Sequence, residues 1–168
     1  GTGMTGALAK LHRIMALKPK DSTSASEDRP VVFISHMEHH SNQVPWMALD
    51  VDVVLLEPND QLQICAKTLE TQLKKYADRK VKIGSFTACS NVTGAIAPFY
   101  ELAALMHAYD GLCFVDFAAS APYETIDMHP KHPAQKLDAI FFSPHKFLGG
   151  PGTCGVLVYD KKLHKTKD

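Results

Sequence analysis

The chain has 168 residues, enough for one domain with a sizeable core. Lys plus Arg and Asp plus Glu number 18 each, so nothing global draws it to nucleic acid or to a membrane surface. Hydrophobic residues make up 45%, yet no apolar run approaches the roughly 20 residues of a membrane span, which points to a globular domain.

The chain opens on Gly1-Thr2-Gly3-Met4-Thr5-Gly6, with no charged-then-apolar signal pattern. Residues 4–17 read as a helix behind that glycine-rich turn. Small residues there let backbone N–H groups approach an anion at a helix N-terminus. A dinucleotide-binding turn would also start this way. Residues 19–29 are polar and read as a flexible excursion. Val31–Ser35 is a short buried strand, 41–49 a helix and 51–57 the next strand. Leu62, Cys65, Ala66, Leu69, Leu73 and Tyr76 fall at helical spacing, which predicts an amphipathic helix over 60–78. Residues 81–88 follow as a strand. Pro98 suits a first helical turn and Gly111 a stop, and the helix between them buries Phe99, Leu102, Leu105, Met106 and Tyr109. Strands at 112–117, 139–143 and 155–159 complete the set. Alternation of this kind predicts an α/β fold with a mostly parallel sheet. Cys65, Cys89, Cys113 and Cys154 have no metal spacing and read as buried free thiols in a reducing, cytoplasmic setting.

Candidate chemistry gathers at the strand ends, where such sheets collect ligands. Lys146 lies in Ser143-Pro144-His145-Lys146 and runs into Phe147-Leu148-Gly149-Gly150-Pro151-Gly152. A lysine buried there would have its pKa pushed down, and the neutral amine could form a Schiff base with an aldehyde. Asp116 closes the apolar run Leu112-Cys113-Phe114-Val115, where a carboxylate needs a charged or hydrogen-bonding partner. A protonated pyridine nitrogen is such a partner, and pyridoxal phosphate (PLP) enzymes use an acid and a lysine in this way. Glu38-His39-His40-Ser41-Asn42-Gln43-Val44-Pro45-Trp46 follows the first strand. The crowding of His36, Glu38, His39 and His40 also raises a metal site. Successive side chains at 38–40 point in different directions and no second ligand cluster is evident, so no metal is expected.

These segments, with Ser90-Asn91-Val92-Thr93-Gly94, resemble the class V aminotransferase family of fold type I PLP enzymes. The nearest branch is that of the cysteine desulfurases and selenocysteine lyases. The resemblance implies a three-layer α/β/α sandwich of the PLP-dependent transferase large-domain type. It implies that residues 1–168 are part of that domain, with an N-terminal arm and a C-terminal small domain lying outside them. It assigns the Schiff base to Lys146, ring stacking and proton transfer to His39, and the pyridine nitrogen to Asp116. Asn91 falls near the phenolic oxygen, while Gly3, Met4, Thr5, Ser143 and His145 hold the phosphate. The substrate would be a small amino acid, with no nucleic acid or membrane partner, and the full-length parent would be a homodimer. Three departures stand out. Ala119 replaces a glutamine that donates to the cofactor oxygen, with Ser120 beside it as a substitute hydroxyl. Ala88 stands at an often polar position, and Pro144 where glycine is frequent. The sulfur-accepting cysteine and the carboxylate-gripping arginine of desulfurases have no counterpart here. Either the chain belongs to an active PLP enzyme, or it is a catalytically incomplete cofactor-binding or structural piece.

Overall fold

The structure, a computed structural model, describes residues 3–20 and 28–165. Most of the expected excursion at 19–29, together with Gly1 and Thr2, lies outside the described residues.

Six strands form one sheet: β1 (Val31–Ser35), β2 (Asp52–Leu56), β3 (Lys82–Thr87), β4 (Leu112–Asp116), β5 (Ala139–Phe142) and β6 (Val156–Tyr159). Their order is β2-β1-β3-β4-β5-β6. The first five run parallel, and β6 closes one edge antiparallel to β5. Helices α1 (Gly3–Ile14) and α2 (His40–Met47) cover one face, and α3 (Ala66–Lys75) and α4 (Phe99–Ala108) the other. This is the three-layer α/β/α sandwich.

Both faces of the sheet are covered, so its inner strands read as continuous apolar runs rather than alternating ones. All five residues of β1 are buried. Val31 and Phe33 join the core under α3 and α4, whereas Val32 and Ile34 join the one under α1 and α2. That split is the two-residue period of a strand. Gly84 in β3 is required by packing: a Cβ there would stand 2.4 Å from the Phe86 ring.

Helix α3 is shorter than its apolar spacing predicts. Asn59 Oδ1 accepts the N–H groups of Gln61 and Gln63, each at 2.9 Å, and Leu62 sits at φ +57°. The Asn59 side chain thus satisfies the backbone of a loop where a helix would otherwise begin. Leu62 is 71% exposed and takes no part in the core.

Behind the sheet, the buried Asp138 accepts the Cys113 N–H at 2.9 Å, His107 Nε2 at 2.7 Å and Lys136 Nζ at 3.0 Å. Burial alone would raise its pKa. The histidine, the amide and the lysine outweigh burial and hold it below the usual carboxylate range. The same contact, against burial, raises His107. The four thiols are free, but only Cys113 is buried; Cys65 and Cys89 are half-buried and Cys154 is exposed. The expectation of four buried thiols therefore fails, because Cys154 lies on the turn before β6 and not in a strand. Among the described residues no helix is long and apolar enough to cross a membrane.

Candidate active site

The sheet order reverses between β1 and β3: the chain goes outward to β2 and then returns to the other side of β1. Ligands collect in the crevice that such a reversal opens at the strands' carboxyl ends. A cavity of about 180 Å³ occupies that end of the sheet. Gly3, Met4, Thr5, His39, Asn91, Asp116, Ser143, His145 and Lys146 all line it. The sequence therefore named nine residues, from five separate segments, that meet at one place. Ser41, Thr87, Cys89, Ala118 and Ala119 complete the lining.

Asp116 is the last residue of β4 and is 3% exposed. Among the described residues its one hydrogen-bond donor is the Ala118 N–H, 2.8 Å from Oδ1. Burial pushes its pKa up to about 6, against the pull of that amide and of the Lys146 charge. A buried carboxylate with so few donors is suited to a cationic partner.

Lys146 ends a 3-10 turn, Pro144–Lys146, directly after β5. Its side chain is exposed, not buried as the sequence suggested. The turn carries it past the end of the strand and out of the sheet's shelter. The glycine loop fixes that turn: the Gly150 N–H bonds the Phe147 carbonyl at 2.9 Å, and a Cβ on Gly150 would stand 1.9 Å from the Pro144 oxygen.

His39 caps α2. Its Nδ1 accepts the Ser41 N–H at 3.2 Å and lies 2.7 Å from Ser41 Oγ. With Nδ1 so engaged, Nε2 is the ring atom available for proton exchange. Asn91 is exposed at the tip of a turn closed by the Cys89–Ile96 bridge and by Ser90 Oγ, which accepts the Val92 and Thr93 N–H groups.

The first turn of α1 carries no acidic residue, so its N-terminus is unopposed. The Met4 N–H donates to the buried Ser143 Oγ at 2.8 Å. Gly3 has φ +58°, and a Cβ there would lie 2.7 Å from His145 Cε1 and 3.1 Å from Ser143 Oγ. The space a side chain would fill is thus framed by a helix start, a hydroxyl and an imidazole, which is donor chemistry for a phosphate. Cradle, acid and amine together fit pyridoxal phosphate.

Two parts of the sequence reading change. Ser120 is not on the cavity lining; it is buried, and among the described residues its Oγ has no partner. Ala119 therefore gains no substitute hydroxyl from its neighbour. Thr87, Ser41 and Glu38 had no assigned role. Thr87 was legible only as the end of a strand, because its importance comes from register against Asp116.

Comparison with known proteins agrees with this geometry. The family model for aminotransferase class-V matches residues 15–167. A probable cysteine desulfurase from Halalkalibacterium halodurans is 36% identical over 138 residues, covering 81% of this chain and 32% of that protein. Probable cysteine desulfurase 2 from Mycobacterium leprae is 34% identical over 137 residues, covering 79% of this chain and 30% of that one. The chain thus spans about a third of the length of these relatives. Among solved structures, the cysteine desulfurase CsdA from Escherichia coli superposes with a TM-score of 0.70 at 24% identity, over 96% of this chain and 38% of that one, a likeness of fold. The chain belongs to the class-V aminotransferases, a family of pyridoxal-phosphate enzymes.

Proposed function

We propose that this chain is the cofactor-binding part of an enzyme acting on a small amino acid, with cysteine desulfuration the leading reaction. The observation that carries this reading is the meeting of Asp116, Lys146 and the Gly3–Ser143 cradle in one cavity. Pyridoxal phosphate, when bound, supplies an aldehyde and an electron-withdrawing ring. Lys146 Nζ would be the amine that holds the aldehyde end of the group, as its neutral form. The Asp116 carboxylate would hold the ring nitrogen and keep a proton on it. The imidazole of His39 would cover the ring face, with Nε2 free to give or take a proton. Asn91 would donate to the phenolic oxygen, without the second donor that a glutamine at the Ala119 position would supply. Ser143, His145 and the turn at Gly3, Met4 and Thr5 hold the phosphate.

A second reading, a cofactor-binding piece without turnover, is favoured by Ala119, which lines the cavity where the resemblance implies a glutamine donor. Cys89 is a thiol on the cavity lining, and burial raises it, which disfavours the thiolate that a sulfur acceptor needs. On both readings the substrate clamp and the active homodimer belong to a longer parent.

One experiment tests the site and the turnover together. The chain is incubated with pyridoxal phosphate, reduced with borohydride and mapped by peptide mass. The pyridoxyl group should appear on Lys146 and vanish in Lys146→Ala. Label spread over the other lysines, with Lys146 bare, would overturn the assignment. Sulfide release from cysteine should be absent from the 168-residue chain, because misplacing reacting groups by about 1 Å costs on the order of 100-fold. Turnover that depends on Lys146 would overturn the second reading.

A further inference from the structure

Strands β1 and β3 stay paired only from Val31 with Lys82 to Ile34 with Ser85. Beyond that point Ser35 pairs with Leu56 on the β2 side, while β3 runs on to Thr87, registered against Asp116. The Thr87 N–H therefore points where the β1 ladder has ended. Glu38 takes the place of the missing strand carbonyl. Its Oε1 accepts the Thr87 N–H at 2.9 Å and the Ser35 hydroxyl at 2.5 Å, and its Oε2 accepts Asn42 Nδ2 at 2.6 Å. Asn42 is itself fully buried and bound to Ser85: Nδ2 also donates to the Ser85 carbonyl, and Oδ1 accepts the Ser85 hydroxyl at 2.7 Å. One carboxylate thus joins the end of β1, the first turn of α2 and the end of β3. His39 is the next residue in the chain, and Asp116 is the next strand over.

We propose that Glu38 is a positioning residue: its clamp fixes the His39 turn relative to Asp116 and so sets the slot between them that receives a flat cationic ring. The identity of that ring rests on the reading above; the clamp does not. Charge supports the geometry. Burial pushes Glu38 up to about 7 against its three donors, with the Asp116 charge adding to the rise. The groups facing it are Ser35 of β1, Asn42 of α2, Thr87 of β3 and Asp116 of β4, flanked by His36, His39 and His40 of its own turn. The Lys146 charge pulls the neighbouring Asp116 back down. A proton on the Glu38 carboxyl would keep its place in this network, because the Ser35 hydroxyl can reverse to accept it. The ionised form adds negative potential where a cationic ring would sit.

The test has two arms, with Glu38→Gln and Glu38→Ala. In the cofactor-free chain, amide hydrogen exchange at Thr87 should quicken about tenfold or more in Glu38→Ala, while amides in the middle of β4 keep their wild-type rates. Unchanged protection at Thr87 would overturn the clamp. In the second arm, pyridoxal phosphate itself is titrated by absorbance at several pH values. Glu38→Gln should weaken binding about tenfold near neutrality, the scale of a lost charge-assisted contact, by a ratio that grows from about pH 6 to pH 8. A ratio of one at every pH, with only the melting temperature lowered, assigns Glu38 to folding alone and overturns the proposal. If wild type binds no pyridoxal phosphate, the cofactor reading fails, and the exchange arm still decides the clamp.

Discussion

His12 shows how one buried side chain sets a pH dependence for the whole domain. It lies on α1 at 6% exposure, with its ring centroid 4.2 Å from that of Trp46. Among the described residues neither His12 Nε2 nor Trp46 Nε1 has a hydrogen-bond partner. Burial lowers the histidine to about 4 from an ordinary 6.5. Between those values the unfolded chain binds more protons than the folded one, so stability falls as pH falls through that window. Fully expressed, the loss is about 3 kcal/mol. Asp116 and Glu38, both raised, act in the opposite sense: their contribution falls as pH rises through about 6 and 7. Denaturant melts of His12→Leu should therefore show a flatter loss of stability from pH 6.5 to 4.5 than wild type. A slope equal to wild type would mean that the imidazole is protonated without cost, and would refute the burial argument.

At the level of elements, the site depends on contacts that no local pattern announces. Gly155, just before β6, is the clearest case. A Cβ there would stand 1.9 Å from the Gly3 carbonyl oxygen and 3.0 Å from the Met4 nitrogen, both backbone atoms of the first turn of α1. Gly155→Ala must push that turn away from Ser143 and His145. Pyridoxal phosphate affinity should then fall by about tenfold or more, while the sheet core, remote from the change, keeps its far-UV signal. Unaltered affinity would show that the turn does not hold the phosphate. The alternation of strands and helices was legible in the sequence because both sheet faces are covered and the strand runs are unbroken. Asp116, Lys146 and His39 were legible because each follows such a run. What escaped was set by distant or side-chain partners. Asn59 cut α3 short, the 3-10 turn exposed Lys146, and the Glu38 clamp bonds an amide 49 residues away.

Across the whole molecule, two separate apolar cores flank the sheet, one under α1 and α2 and one under α3 and α4. The cavity lies at one end of both, and its parts come from residues 3 to 146 of the chain. Formation of the site and of the complete sheet are therefore one event: no half of this chain carries both Asp116 and the Gly3 turn with its Ser143 support. The graded burial of the thiols turns this into a built-in clock. Cys154 is exposed, whereas Cys113 lies fully buried in β4 with its thiol held well above its usual range. Under an alkylating reagent, Cys154 should react at once, whereas Cys113 should react only at the rate at which β4 leaves the sheet. The rate at Cys113 should slow when a ligand fills the cavity, since binding the folded state alone deepens its stability. The labelling rate at one sulfur beside Asp138 would thus report occupancy of a cavity that this sulfur does not line.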